Sequence, residues 1–118
     1  MALSETALAF AQNVKFRGPL EGATHFGQSG APGDGPYFQV WLVVQEWRIA
    51  QSAYQTHGCP ASMAVGGTLC AVIGNREVRK VRDLTREDIA HIVGSVPEGK
   101  EFNYGLAADA LRAALEEN

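Results

Sequence analysis

The chain has 118 residues, of which 46% are hydrophobic and 19% are charged, and its formal net charge at pH 7 is -3. This length and composition are typical of one globular domain with a sizeable core, so residues 1–118 are expected to form a single domain. The weakly acidic charge disfavours binding to nucleic acid or to an anionic membrane, and no apolar run approaches the roughly 20 residues that a membrane-spanning helix needs.

The N-terminal segment and the cysteines indicate the setting in which the protein works. Residues 1–16 lack the basic start and the long apolar centre of a secretory signal. Residues 4–12 are predicted to form a short helix with Ser4 as its N-cap. Cys59 and Cys70 do not make the pattern of a disulfide framework, so a reducing, cytoplasmic setting is expected.

Three strands are predicted in the first half of the chain. Residues 24–30 form a short first strand, and residues 30–37 (GAPGDGPY) form a loop because they include three Gly and two Pro. Residues 37–44 (YFQVWLVV) are the clearest strand, since β-branched and aromatic residues dominate it. A reversal at residues 45–48 has no Gly or Asn to fix its turn type. Residues 49–56 alternate apolar and polar side chains, so they are predicted to pair with the preceding strand in an antiparallel meander.

The second half of the chain changes to helical patterns. Residues 59–74 are predicted to form a buried helix that ends near Gly74. Gly66 and Gly67 weaken this helix by roughly 1 kcal/mol each unless close packing offsets the effect.

Two further helices complete the predicted domain. Residues 84–97 open with Thr85 as N-cap and are expected to stop at Pro97. Residues 104–118 form an amphipathic helix that closes the chain. Strands first and helices after indicate an α+β domain with the helices packed on one face of the sheet.

The connection NREVRKVRD, residues 75–83, carries four basic and two acidic residues. Most runs of this kind are solvated connections between elements. The functional alternative is a docking patch for an acidic partner. The sequence leaves both interpretations open.

Cys59 is the cysteine best placed for chemistry. It follows a predicted strand and a His57–Gly58 corner and opens a helix, where backbone dipoles favour the reactive thiolate. His57 could add a positive charge or a hydrogen bond. The alternative is that Cys59 is a small buried hydrophobic residue, which is the interpretation favoured for Cys70 inside its apolar helix.

Three segments carry a resemblance to a known family: YQTHGCPASMAV (54–65), LTREDIAHIVGSVPEGK (84–100) and LAADALRAAL (106–115). In this order and spacing they resemble the NifU/IscU-type iron–sulfur cluster assembly scaffold family, over residues 13–115. The resemblance implies a three-stranded antiparallel sheet with helices on one face and a cluster site at one tip. It also implies a cysteine desulfurase as partner, which passes sulfur to a scaffold cysteine as a persulfide.

The resemblance transfers only part of the family's ligand set to this chain. Cys59 matches the family's middle cysteine, and Asp34 matches its acidic residue. Pro32 stands where the family has its first cysteine, and Asn103 and Tyr104 stand where it has a final His-Cys pair. One of three cysteines is therefore present.

The reduced ligand set bears on the cofactor. A [2Fe–2S] cluster normally needs four protein ligands. Asp34 and Cys59 supply two, His57 could supply a third, and Tyr104 is an uncommon iron ligand, so one chain is not expected to hold a stable cluster. Two chains could share one. Zinc held by Asp34, His57 and Cys59 is the other metal that the resemblance implies. His25 could reach the same loop, although a solvated surface histidine is the favoured interpretation.

The residues and the resemblance together predict a divergent scaffold-like protein that is not an enzyme. Cys59 is the predicted sulfur (persulfide) acceptor or metal carrier, and Asp34 is an adjacent ligand or a tuner of cluster lability. The alternative is an interaction or regulatory subunit that keeps the fold but has lost cluster binding. A hydrolase or transferase with a Cys59–His57 pair is disfavoured, because residues two apart across a tight corner rarely align as nucleophile and base. The expected partners are a cysteine desulfurase or another protein, and a second copy of the chain.

Overall fold

Three antiparallel strands form the sheet of the computed structural model, which describes Ala9 and residues 14–116. The strands are β1 (His25–Gly30), β2 (Tyr37–Gln45) and β3 (Arg48–Thr56), in the order β1-β2-β3. All three predicted strands are confirmed, each to within one residue at either end. The predicted helix over residues 4–12, with its N-cap Ser4, lies outside the described residues except for Ala9.

The pleat of β2 sorts its side chains onto two faces. Phe38, Val40 and Leu42 are fully buried, whereas the residues between them are only partly buried. Val40 pairs with Tyr54 of β3, whose ring is also buried. Since alternate residues of a strand share a face, these side chains form the helix-facing side of the sheet.

In the described part of the chain, four α-helices follow β3. They are α1 (Pro60–Ile73), α2 (Val78–Val81), α3 (Arg86–Val93) and α4 (Phe102–Leu115). The bounds of α1 confirm the prediction, and α2 is a short helix inside the connection predicted at residues 75–83. Within these residues, no helix has both the length and the apolar character needed to cross a membrane.

The bounds of α3 and α4 differ from the predicted ones. The helix predicted over 84–97 ends at Val93, because Gly94 adopts a φ of 88° and turns the chain before Pro97 is reached. Its predicted N-cap is confirmed: the Asp88 amide donates to Thr85 Oγ1 at 3.2 Å, and the Thr85 amide donates to Asp88 Oδ2 at 2.9 Å. The hydrogen bonds that the Asp88 carboxylate accepts from the Thr85 amide and from Thr85 Oγ1 lower the pKa of Asp88. Helix α4 begins at Phe102, two residues earlier than predicted.

Two glycines allow the helices to approach the sheet closely. A side chain at Gly27 of β1 would collide with the backbone of α4 at Ala110 and Ala114. A side chain at Gly66 of α1 would collide with the ring of Tyr54. Close packing therefore offsets the helix-weakening effect expected of Gly66, and the predicted α+β architecture with helices on one face of the sheet is confirmed.

Candidate functional site

Three segments meet at one end of the sheet: the β1–β2 loop, the corner after β3 and the start of α4. His57 Nδ1 lies 3.3 Å from the backbone nitrogen of Tyr37, the first residue of β2. The His57 ring also lies nearly parallel to that of Phe102, with 6.2 Å between centroids. We call this end the tip and define it as residues 31–37, 57–59 and 102–104. It includes all three predicted site residues, namely Asp34, His57 and Cys59.

Cys59 is the N-cap residue of α1. Gly58 turns the chain with a φ of 89°, and Cys59 then has extended geometry before Pro60 begins the helix. The thiol makes no capping hydrogen bond, and the residue is half-buried against the edge of the core. The thiol therefore lies at the start of a helix, partly exposed, where a group carried on sulfur can be reached from outside.

A relay of hydrogen bonds fixes the corner that presents Cys59. Ser62 Oγ donates to the Cys59 carbonyl at 2.7 Å, and the hydroxyls of Ser62 and Thr56 lie 2.8 Å apart. Because the carbonyl can only accept, the Ser62 proton is engaged there, so Thr56 is the donor to Ser62. The Gly58 amide in turn donates to Thr56 Oγ1 at 3.1 Å. Thr56 therefore accepts from Gly58 and donates to Ser62, and Ser62 donates to the Cys59 carbonyl.

Asp34 lies in an exposed turn of the glycine-rich loop. Its amide donates to the Ala31 carbonyl at 3.0 Å, which closes a four-residue turn. Pro32 at the second position and Gly33, with a φ of 84°, at the third are the residues that a type II turn favours. Pro32, at the position where the resemblance implies a cysteine, therefore stiffens the loop that carries the Asp34 carboxylate.

His57 is held between β2 and α4. Besides accepting from the Tyr37 amide, its Nδ1 lies 3.4 Å from the Tyr37 carbonyl, and the Phe102 ring covers one side of the imidazole. In the part of the chain that the structure describes, no hydrogen bond joins His57 to Cys59. The geometry gives no support to a Cys59–His57 nucleophile and base pair.

Asn103 and Tyr104, for which the resemblance implies the family's final ligand positions, have structural contacts. Tyr104 Oη donates to the Gly94 carbonyl at 2.8 Å and links α4 to the end of α3. Burial, and to a lesser extent the Glu101 carboxylate, raise the pKa of Tyr104, which disfavours the phenolate form that binds iron. In this structure the Tyr104 hydroxyl is engaged by the Gly94 carbonyl, and its role as an iron ligand stays a prediction.

Asn103 is fully buried in the first turn of α4. Its Nδ2 donates to the Lys100 carbonyl at 3.0 Å. Its Oδ1 has no hydrogen-bond partner among residues 14–116. A buried amide oxygen without a partner is uncommon, and this one stands at the position where the resemblance implies a histidine.

The structure separates two further predicted residues from the tip. His25 begins β1 at the opposite end of the sheet, where it pairs with Leu42 and hydrogen-bonds Thr24. The expectation that His25 could reach the site loop is wrong. Cys70 is buried in α1, and burial raises the pKa of its thiol from 9.0 to about 12, which confirms the prediction that it is a core residue.

The donor set at the tip can be compared with what a metal or cluster requires. Among residues 14–116, no three His, Cys, Asp or Glu side chains lie close enough together to hold a metal ion. The tip offers one thiolate, from Cys59, whereas iron–sulfur clusters are held mainly by several thiolates. One chain in this conformation therefore does not fit a resident cluster.

Two clefts flank the tip and leave room for a partner. One, of about 580 Å³, lies between α3, α4 and the β1–β2 loop, with Pro36 and Phe102 in its wall. The other, of about 200 Å³, lies beside Gly58 and Met63 and includes Arg17. The first cleft reaches the loop that presents Asp34 through Pro36, and the second reaches the corner that presents Cys59 through Gly58.

Sequence reasoning missed the residues that position the site. Thr56 and Ser62 lie three residues before and three after Cys59, and this symmetric pair of hydroxyl residues was the available signal. Phe102 had no comparable signal, because its contact with the His57 ring depends on how α4 packs against the sheet.

Comparisons with known proteins identify the family and the fold of this chain. The family described as NifU-like N terminal domain matches residues 2–118. The iron-sulfur cluster assembly scaffold protein IscU 1 of Archaeoglobus fulgidus is 31% identical over 104 residues, which cover 88% of this chain and 68% of that protein. The crystal structure of FiSufU from Fervidobacterium islandicum AW-1 has a TM-score of 0.76 at 16% identity, with 96% of each chain covered.

A second solved structure has the same fold. The NifU-like protein (N-terminal) from Brucella abortus gives a TM-score of 0.60 at 17% identity, covering 98% of this chain and 95% of that one. The resemblance that the three sequence segments indicated is thereby confirmed. The chain belongs to the NifU-like N-terminal domain family.

Proposed function

We propose that this protein is a divergent iron–sulfur cluster assembly scaffold-like protein that accepts sulfur on Cys59 as a persulfide. The observation that carries the proposal is the placement of Cys59: a half-buried thiol at the start of α1, at the tip, in a chain whose relatives are named as scaffold proteins. The role is that of a carrier rather than an enzyme. A free thiol carrier suits a reducing compartment such as the cytoplasm.

The proposed transfer needs one nucleophilic thiol. The Cys59 thiolate attacks the outer sulfur of a persulfide on a donor cysteine, such as that of a cysteine desulfurase. The donor's sulfur–sulfur bond breaks, a new one forms on Cys59, and the electron pair leaves with the donor thiolate, so no net oxidation occurs. The amide groups at the start of α1 favour the negative charge before and after transfer.

Sulfur acceptance fits the available donors better than cluster retention does. A persulfide needs only Cys59, whereas a cluster needs ligands that Pro32 and Tyr104 do not provide. Two chains, each contributing Cys59 and Asp34, are the arrangement that would complete four ligands. In that arrangement Asp34 is the oxygen ligand that keeps a cluster labile. A zinc ion would draw on Asp34, His57 and Cys59, and it requires the three side chains to move together.

Sulfur acceptance is tested by incubating the full chain with a cysteine desulfurase and cysteine, then measuring its intact mass. The expected result is an adduct of about 32 Da, one sulfur atom, that maps to Cys59 and is released by a reductant. The Cys59→Ser variant should show no adduct, and Cys70 provides an internal control because it is buried. An adduct on neither cysteine would contradict the proposal.

A second candidate function is supported by Pro32 and Tyr104. The resemblance places both at family cysteine positions, and both contribute to the structure. Pro32 lies in the turn before Asp34, and the Tyr104 hydroxyl donates a hydrogen bond to the Gly94 carbonyl. These contacts support an interaction or regulatory subunit that keeps the scaffold fold without carrying a cluster. Anaerobic reconstitution with iron and sulfide separates the candidates. A colourless protein that also takes no sulfur on Cys59 favours the subunit.

A further inference from the structure

The β2–β3 hairpin carries a tryptophan side chain that lies almost entirely in solvent. Trp47 is 79% exposed, more than any other large hydrophobic residue that the structure describes. It lies at the end of the sheet opposite the tip, since the nine residues of β3 separate the hairpin from the corner before Cys59. At about 3.3 Å per residue, that separation is roughly 30 Å.

The backbone at this hairpin is unfavourable for the residues it contains. Glu46 and Trp47 have φ values of 53° and 65°, the left-handed region that a two-residue type I′ turn requires. Asn-Gly is the pair that fits such a turn best, and a bulky side chain is disfavoured there. Trp47 gains little packing in return, so its presence points to a role outside the chain's own stability.

Trp47 is part of a firmly held surface. The Val78 amide donates to the Trp47 carbonyl at 2.8 Å, and the Ile49 amide donates to the Arg76 carbonyl at 3.0 Å. These bonds fix the hairpin to the connection that contains α2. A cleft of about 530 Å³ lies there, lined by Trp47, Glu77, Val78, Arg79 and Arg82. We call residues 46–48 and 75–83 the hairpin surface.

The hairpin surface differs in charge from the rest of the molecule. It has five basic and three acidic residues, a net charge of +2, whereas the remaining chain has five basic and ten acidic residues, a net charge of -5. The Glu77 carboxylate forms ion pairs with Arg79 Nε at 3.0 Å and with Lys80 Nζ at 3.7 Å. Both cationic side chains remain largely exposed, so carboxylates from a partner can reach them.

We propose that the hairpin surface binds an extended acidic segment of a partner protein, with an apolar side chain of that segment packed against Trp47. Aromatic and arginine side chains are the residue types that most often dominate binding energy at protein interfaces. A long polyanion such as RNA is disfavoured, because the charge of +2 is small and the rest of the chain has a net charge of -5. The distance from Cys59 leaves the tip open, so a partner docked here does not block it. This inference does not rest on the proposed function.

Fluorescence anisotropy of a labelled peptide, Asp-Glu-Leu-Phe-Glu-Asp-Glu, titrated with the full chain tests the proposal. We expect saturable binding that salt weakens. Trp47→Ala and Arg79→Glu should each weaken binding by at least about tenfold. Arg112→Glu makes the same charge change on α4, outside the hairpin surface, and should weaken binding by less than about twofold. Cys59→Ser should leave binding unchanged, which separates this proposal from sulfur transfer.

Other outcomes would overturn the proposal. Equal losses of peptide affinity in Arg79→Glu and Arg112→Glu would mean that the attraction is nonspecific. The absence of saturable binding would mean that the hairpin surface is not a binding site for the peptide. An oligouridylate that binds more tightly than the peptide, with the same dependence on Trp47, would assign the surface to RNA. A dimer in sedimentation equilibrium that Trp47→Ala abolishes would assign it to a second copy of the chain.

Discussion

The hydroxyl oxygens of Thr56 and Ser62 lie 2.8 Å apart and join the last residue of β3 to the first turn of α1. The relay that they form begins at the Gly58 amide and ends at the Cys59 carbonyl. It therefore spans the whole corner and fixes the backbone from which the Cys59 thiol projects. The sulfur is positioned by hydrogen bonds of its neighbours, since the thiol itself makes no capping bond.

Thr56→Val should destabilise the protein because it removes the central member of this relay. The Gly58 amide and the buried Ser62 hydroxyl each lose a partner, so the free energy of unfolding should fall by about 1–2 kcal/mol. Urea denaturation measures the change. The matched control is Thr68→Val in α1, where the buried hydroxyl has no partner among residues 14–116. Removal of the Thr68 hydroxyl should leave the free energy of unfolding unchanged or raise it. An equal decrease in the free energy of unfolding of both variants would contradict the relay.

The features that sequence predicted correctly are those that local physics decides. The strand over Tyr37–Gln45 follows from its β-branched and aromatic residues, and the Thr85 N-cap follows from the carboxylate three residues later. Cys59 at the start of α1 also follows locally, since Gly58 permits the corner and Pro60 favours the first helical position.

The features that sequence missed depend on contacts distant in the chain. His57 was considered as a partner for Cys59, but its ring packs on Phe102, 45 residues away in sequence. Tyr104 was considered as a ligand, but its hydroxyl reaches Gly94 at the end of another helix. No local pattern specifies either contact, because both arise from how α4 packs.

Gly66 and Gly105 should respond oppositely to alanine. A methyl group at Gly66 would overlap the Tyr54 ring, whereas a methyl group at Gly105 meets open space. Gly66→Ala should therefore lower the free energy of unfolding by about 1–3 kcal/mol through overpacking. Gly105→Ala should raise it by about 0.5–1 kcal/mol through helix propensity. Thermal or urea unfolding compares them, and a stabilised Gly66→Ala would show that α1 does not pack closely on β3.

The hairpin turn should become more stable when its two residues suit its backbone. Glu46→Asn combined with Trp47→Gly places the favoured Asn-Gly pair in the turn and should raise the free energy of unfolding by about 1–2 kcal/mol. Thermal unfolding measures the gain. The control is Trp47→Ala alone, which keeps a Cβ in the left-handed region. This variant should show little of the gain in the free energy of unfolding. A loss of stability in the double variant would mean that the Trp47 ring supports the fold.

The two cysteines should differ in their reaction with a thiol reagent. In the native protein at pH 8, one equivalent should react promptly and map to Cys59, which is partly exposed. Cys70 should react only after denaturant is added, because it is buried and burial raises the pKa of its thiol to about 12. The Cys59→Ser variant should show no prompt reaction. Prompt modification of Cys70 in that variant would contradict the packing of α1.

The burial of Cys70 should also make the fold less stable in alkali. Its thiol has a pKa near 9.0 when exposed and about 12 in the folded chain, so between these values the unfolded state loses a proton that the folded state keeps. The stabilising contribution is complete below about pH 9 and falls by about 1.4 kcal/mol per pH unit above it. Burial raises the pKa of Tyr54 as well, so the ionisation of Tyr54 also lowers the stability of the fold as the pH rises.

Cys70→Ala isolates the thiol from the other groups that titrate in alkali. The variant loses packing contacts equally at every pH, and it keeps Tyr54. The pH dependence of the difference in free energy of unfolding between wild type and variant therefore reports on the Cys70 thiol alone. Urea denaturation under reducing conditions should show the wild-type advantage over Cys70→Ala shrinking by about 1.4 kcal/mol between pH 8 and pH 10. A constant difference would mean that the folded and unfolded states release this proton alike, which a thiol sealed in the core cannot do.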